Sequence, residues 1–100
     1  MLSLKYTNLV EQDLDDAISH IASQSIANSM NYLARYEKKI ELLKLNPLMG
    51  AECRNKLIKR ECRALVHESH IIIYKVLQDA DEILIVRIFH VRESYQNKIN

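Results

Sequence analysis

The chain has 100 residues, of which 48% are hydrophobic and 27% charged, with a formal net charge of +1 and a pI near 7.8. That is the balance of one ordinary globular domain over residues 1–100, and it excludes a disordered chain. One Gly and one Pro exclude collagen-like, linker-like and loop-dominated sequences.

The first element is a short strand. Leu2, Leu4 and Tyr6 alternate with Ser3 and Lys5, the period of a half-buried strand. Asn8 then offers a helix cap, and Glu11 is placed to reach back to it. Asp13, Asp15 and Asp16 lie in the early turns, where the helix dipole favours anions. Val10, Leu14, Ala17, Ile18 and Ile21 form one apolar stripe, and the helix is predicted to stop near Ser23–Gln24. Ser25 caps a second helix with Ile26, Met30, Leu33, Ile40 and Leu43 as its stripe and Tyr36 alongside. Asn46-Pro47 ends it, because Pro disfavours helical backbone in the residue before it. The short connection makes the pair an antiparallel hairpin.

Pro47 to Gly50 reads as a turn, and the polar stretch after it has no clear period. Three strands follow: Arg63–His67, His70–Leu77 and Glu82–His90, separated by turns at Glu68-Ser69 and Gln78–Asp81. Short turns make them an antiparallel meander. Residues 91–100 are polar and leave both a short helix and a frayed tail open. The order β-α-α-β-β-β is α+β, with the helix hairpin on one face of the sheet.

No apolar run is long enough to cross a bilayer, so no membrane partner is expected. MLSLKYTNLVEQDLDD lacks a basic segment followed by an apolar one, so a secretory signal is not expected either. The expected location is therefore cytoplasmic, with Cys53 and Cys62 as reduced thiols. No cofactor is expected, since one Gly cannot build a phosphate-cradling loop. No metal is expected either. His67 and His70 are three apart and would point to opposite sides of a strand, and the three aspartates are explained by their place in a helix.

Charge is unevenly placed. Residues 1–24 hold one base (Lys5) against four acids, whereas residues 54–63, RNKLIKRECR, hold five bases and one acid. The most informative stretch is Arg87 to Tyr95, RIFHVRESY. Arg87, Phe89 and Val91 share one face of a strand, and Ile88, His90 and Arg92 the other. Such a set can grip a phosphodiester: Arg neutralises phosphate, His moves a proton, and Tyr stacks or donates. It is equally the pattern of a structural ion pair and a solvated strand end.

Several segments in order resemble the ParE/RelE superfamily of type II toxin–antitoxin toxins. DLDDAISHIA (13–22) resembles the family's first helix, and LLKLNPLMG (42–50) the end of its second. RALV (63–66) and IIIYKV (71–76) resemble its strands, and IVRIFHVRE (85–93) its closing motif. The resemblance covers nearly the whole chain and implies a plasmid-stabilisation toxin that inhibits growth and is neutralised by a cognate antitoxin protein. ParE-like members inhibit DNA gyrase and are not enzymes. RelE-like members are endoribonucleases that cut mRNA on the ribosome. An inactive antitoxin-binding member is a third reading.

The ParE-like reading is preferred for two reasons. RelE-like enzymes are strongly basic, unlike a chain of net charge +1. They also carry an Arg where this chain has Ile71, and their C-terminal Tyr falls nearer Lys98 than Tyr95. The target-binding residues the resemblance implies are Lys59, Arg63, Arg87, His90, Arg92 and Tyr95. In a RelE-like enzyme, Arg63, Arg87, His90, Arg92 and Tyr95 would be catalytic, with Lys56 and Lys59 beside them. No sequence-specific DNA binding by the toxin alone is expected.

Overall fold

The computed structural model describes residues 2–53 and 62–92. The chain runs β1 (Ser3–Tyr6), α1 (Asn8–Gln24), α2 (Ile26–Leu45), β2 (Ala51–Glu52), β3 (Arg63–His67), β4 (His70–Leu77), a 3-10 turn (Gln78–Ala80) and β5 (Glu82–His90). The three expected C-terminal strands keep their predicted bounds because β-branched runs flanked by turns leave little choice of register. They form part of a five-stranded sheet in the order β1-β5-β4-β3-β2. β1 runs parallel to β5, and every other pairing is antiparallel. The strand β2, in the stretch without a clear period, adds an outer edge of two paired residues.

The core lies between the helix hairpin and one face of this sheet. Val10, Tyr36, Ile40 and Leu43 pack on Leu65, Ile72, Tyr74, Ile83, Ile85 and Ile88. A β-bulge makes that face continuous. Tyr74 pairs with Ile85 and Ile73 with Arg87, so Val86 is the extra residue. Ile83 and Ile85 point inward before the bulge, and Ile88 does so after it, despite the odd-to-even change in numbering. On the opposite face, Cys62, Ile73 and Phe89 form a second apolar cluster.

Two local expectations about the helices are corrected. Thr7, not Asn8, occupies the cap position of α1, and it makes no side-chain cap bond. Its hydroxyl instead donates to the Val86 carbonyl at 2.8 Å, tying the helix start to β5. Ser25 does cap α2, accepting from the Asn28 amide. The stripe of α2 holds as predicted from Leu33 through Tyr36, Ile40 and Leu43, but in its first turns Ser29 and Tyr32 are buried while Ile26 and Met30 are 70% and 67% exposed.

Cys53 and Cys62 are joined as a disulfide, not held as separate thiols. The reason is register. Glu52 pairs with Arg63, so the next positions outward are Cys53 and Cys62, whose Cα atoms lie 5.5 Å apart.

Candidate functional site

Register also brings together residues that sequence spacing keeps apart. The tight turn between β3 and β4 reverses the chain, so His67 pairs directly with His70. His70 in turn pairs with His90. The expectation that His67 and His70 diverge is thereby corrected, because paired residues of adjacent antiparallel strands share a face. The three imidazoles make a row across β3, β4 and β5, under α2. The Tyr32 ring lies 4.9 Å from His67 and 5.4 Å from His70, and His70 lies 5.5 Å from His90. Among the described residues, no group of His, Cys, Asp and Glu is placed to hold a metal ion.

This end of the sheet is dry and incompletely satisfied. His67 is buried, with its Nε2 3.4 Å from the Tyr32 carbonyl and 3.4 Å from a Glu68 carboxylate oxygen. Burial lowers its pKa from the ordinary 6.5; the Tyr32 carbonyl and Glu68 pull the other way, and Lys39 and Arg35 add slightly to the lowering. The Tyr32 hydroxyl is buried with no hydrogen-bond partner, and burial, helped by Glu68, pushes it up to about 12. The Tyr36 hydroxyl is also raised by burial, and Tyr6 approaches it too loosely for a hydrogen bond of normal geometry. Beyond His90 the chain turns, and His90 Nδ1 accepts the Arg92 amide at 3.1 Å. Val91 and Arg92 are exposed there.

Arg87 sits at the bulge and is held by α1. Its Nε and Nη2 donate to the two carboxylate oxygens of Asp13 at 2.7 and 2.9 Å, a bidentate pair with side chains 18% and 11% exposed. Asp13 also accepts the Ile88 amide at 2.9 Å. The cause lies in the topology. β1 pairs with β5 only as far as Ile85, so the Ile88 amide has no strand partner on that side, and a helix carboxylate replaces it.

Arg63 lies at the other end of the β3–β4 ladder, opposite Tyr74 in mid-β4. Its Nη1 donates to the carbonyls of Gly50 (2.7 Å) and Leu48 (3.3 Å), and it ion-pairs with exposed Glu52. The Tyr74 hydroxyl completes this clamp: it donates to the Pro47 carbonyl at 2.8 Å and accepts the Gly50 amide at 2.9 Å. A Cβ on Gly50 would sit 2.8 Å from the Tyr74 ring and hydroxyl and 3.0 Å from the Ala64 carbonyl. The single Gly of the chain is thus required by close approach.

Four residues of strand, about 13 Å, separate the Tyr74 position from the His70 position. The structure therefore brings His90 and Arg92 together, and it places Arg63 at the far end and Arg87 between, facing Asp13. Lys56, Lys59 and Tyr95 lie outside the described residues. Sequence reasoning missed Tyr32, His67 and His70 as neighbours of His90. The signal was present as a two-residue turn flanked by histidines, whose hairpin register pairs them.

Among the described residues no helix is long and apolar enough to cross a membrane. Exposed Leu42, Leu45, Leu48 and Met49 surround a shallow apolar depression at the end of α2.

Solved structures share this architecture. A chain of the chromosomal ParDE TA system from P. aeruginosa matches with a TM-score of 0.73 and 23% identity, over 92% of this chain and 98% of that one. The toxin–antitoxin complex RelBE2 from Mycobacterium tuberculosis matches at 0.64 and 18%, over 89% and 96%. The intact E. coli RelBE toxin–antitoxin complex matches at 0.62 and 12%, over 93% and 100%. No curated protein matches by sequence. The class is thus an α+β fold of the RelE/ParE type. Within it, the chain belongs to the ParE toxin family of the type II toxin–antitoxin system parDE, whose model matches residues 4–95.

Proposed function

We propose that this toxin inhibits DNA gyrase in the cytoplasm and is neutralised by a cognate antitoxin, in the manner of a plasmid-stabilisation system. The observation that carries this reading is the commitment of its arginines. A ribonuclease needs cations and a proton carrier turned toward one phosphodiester. Here Arg87 is engaged by Asp13, and Arg63 by two carbonyls and Glu52 at the far end of the β3–β4 ladder. A net charge of +1 gives little of the field that holds ribosomal RNA.

Target contact is assigned to Arg92 with His90 at the exposed end of the sheet, and the resemblance adds Lys59 and Tyr95, which lie outside the described residues. Arg87, held by Asp13, positions β5, and Arg63 holds the Gly50 turn. The antitoxin reading is supported by the ParDE and RelBE systems that share the fold. A partner segment that orders on binding would cover the apolar depression at Leu42, Leu45, Leu48 and Met49.

The test is gyrase supercoiling of relaxed plasmid with purified toxin, with and without ATP. Lost supercoiling or accumulated cleaved plasmid is expected. Unaffected supercoiling by folded toxin, together with mRNA cleavage in a translating extract, would overturn the reading in favour of a ribosome-dependent endoribonuclease.

A further inference from the structure

The two cysteines of the chain meet at one place in the sheet. β2 contributes only two ladder positions, Ala51 opposite Ala64 and Glu52 opposite Arg63. A ladder that short is marginal on its own. Just beyond it, the Cys53 amide donates to the Cys62 carbonyl at 3.0 Å, and the two side chains are bonded. The inner end of β2 is anchored without them, by Tyr74 on Pro47 and Gly50 and by Arg63 on Gly50. The main core lies on the opposite face of the sheet from these cysteines. Breaking the bond therefore releases one end of one ladder and leaves both the inner anchor and the core in place.

We propose that Cys53 and Cys62 are a reversible dithiol–disulfide switch, which exchanges two electrons with a low-molecular-weight thiol of the glutathione class and sets whether the outer end of the β2–β3 ladder is held. The proposal rests on the gyrase reading only for its compartment: an intracellular target places the toxin where thiol pools keep most cysteines reduced and where protein disulfides are characteristically transient. Cys62 is 8% exposed and Cys53 is more accessible, so attack falls on the Cys53 sulfur. The small-molecule thiolate bonds to Cys53 Sγ, the bond between the cysteines breaks, and Cys62 leaves as thiolate and takes up a proton. A second small-molecule thiolate then attacks the attached sulfur of the first, releasing Cys53 as a thiol once protonated. One small-molecule disulfide forms, and the protein gains two electrons and two protons. The residues flanking the bond are Glu52 and Arg63, which form an ion pair at 3.6 Å. Reduction thus loosens the Glu52 side of that pair, while Arg63 stays on the Gly50 carbonyl.

The experiment equilibrates the full chain in buffers of varied reduced-to-oxidised glutathione ratio, traps free thiols with a maleimide and counts them by mass spectrometry. A two-electron transition within a monomer is expected, from no trapped thiols to two. Two trapped thiols at every ratio, or only mixed or intermolecular disulfides, would overturn the proposal, as would a bond that resists every ratio. Amide NMR on both end states gives the second readout. Reduction is expected to speed hydrogen exchange of the Cys53 amide at least tenfold and to shift Glu52 and Arg63, with Ile72 and Ile83 unmoved. The Cys53→Ser/Cys62→Ser chain should match the reduced state. An unchanged Cys53 amide would sink the switch, and so would loss of the dispersed core spectrum on reduction, which is the mark of a structural staple. Neither readout involves gyrase, so failure of the gyrase reading and failure of the switch give different results.

Discussion

The two ends of the β3–β4 ladder solve the burial of polar groups in opposite ways. At the Tyr74 end the buried polar groups are engaged: one tyrosine hydroxyl serves two backbone groups, and Arg63 serves two carbonyls. At the His70 end, two tyrosine hydroxyls are buried without partners and His67 is dried beneath α2. Buried polar groups left unsatisfied cost stability, and proteins keep them where something other than stability is served. The contrast sets a fully engaged turn clamp at one end against buried, unsatisfied hydroxyls at the other, near His90 and Arg92.

The largest effect is expected where the two ends are joined, at the bulge. Asp13→Ala removes both bonds to the largely buried Arg87 side chain and the carboxylate that accepts the Ile88 amide. A loss of about 3 kcal/mol in chemical denaturation is expected. A loss under about 1 kcal/mol would mean that β5 holds its edge without α1. Gly50→Ala comes next. The new methyl meets the fully buried Tyr74 ring and the Ala64 carbonyl, and moving either breaks the turn clamp. About 2 kcal/mol of destabilisation is expected by the same measurement. A neutral result would break the claim that this end is the tightly fitted one.

At the other end, Arg92→Ala should leave thermal stability unchanged, because its side chain is exposed. Roughly tenfold weaker gyrase inhibition is expected, the scale of one interfacial charge contact. Equal loss of stability and inhibition would move Arg92 to the structural group.

Acid should act on the histidine end first. The folded-state pKa of His67 lies below the ordinary 6.5, so as pH falls the unfolded chain binds the proton first. The stability held by neutral His67 is complete above about 6.5 and is lost progressively as pH falls toward the folded value. Thermal melts should therefore fall in midpoint from pH 7.5 to pH 5.5 (about a unit on either side of that value). His67→Gln should flatten the slope. An unchanged slope in His67→Gln would assign the acid sensitivity elsewhere.

What could be read from the chain alone follows from the range of the interactions involved. The strands 63–67, 70–77 and 82–90 were legible because their signal is local: β-branched runs bounded by turns. The parallel pairing of β1 with β5 was not, since it depends on where the helix hairpin delivers the chain. Only the first turns of the α2 stripe were misjudged, because apolar content favours Ile26 and Met30 while the packed face selects Ser29 and Tyr32. The likeness to toxins was legible in the closing motif, but the partner of Arg87 lies 74 residues away. The disulfide depends on the register of a two-residue strand that has no pattern of its own.

The smallest and most diagnostic change is Tyr32→Phe. The ring keeps its contacts with His67 and His70, and only the unpartnered hydroxyl goes. A hydroxyl taken out of water without compensation disfavours the folded state, so its removal should raise stability by up to about 1 kcal/mol. That corresponds to a melting point roughly 4–8 °C higher for a chain of this size. A stabilised variant with weaker gyrase inhibition would show that the end of the sheet trades stability for its task. Lower stability would mean that the hydroxyl is satisfied after all, and the contrast between the two ends of the β3–β4 ladder would then rest on His67 and the Tyr36 hydroxyl.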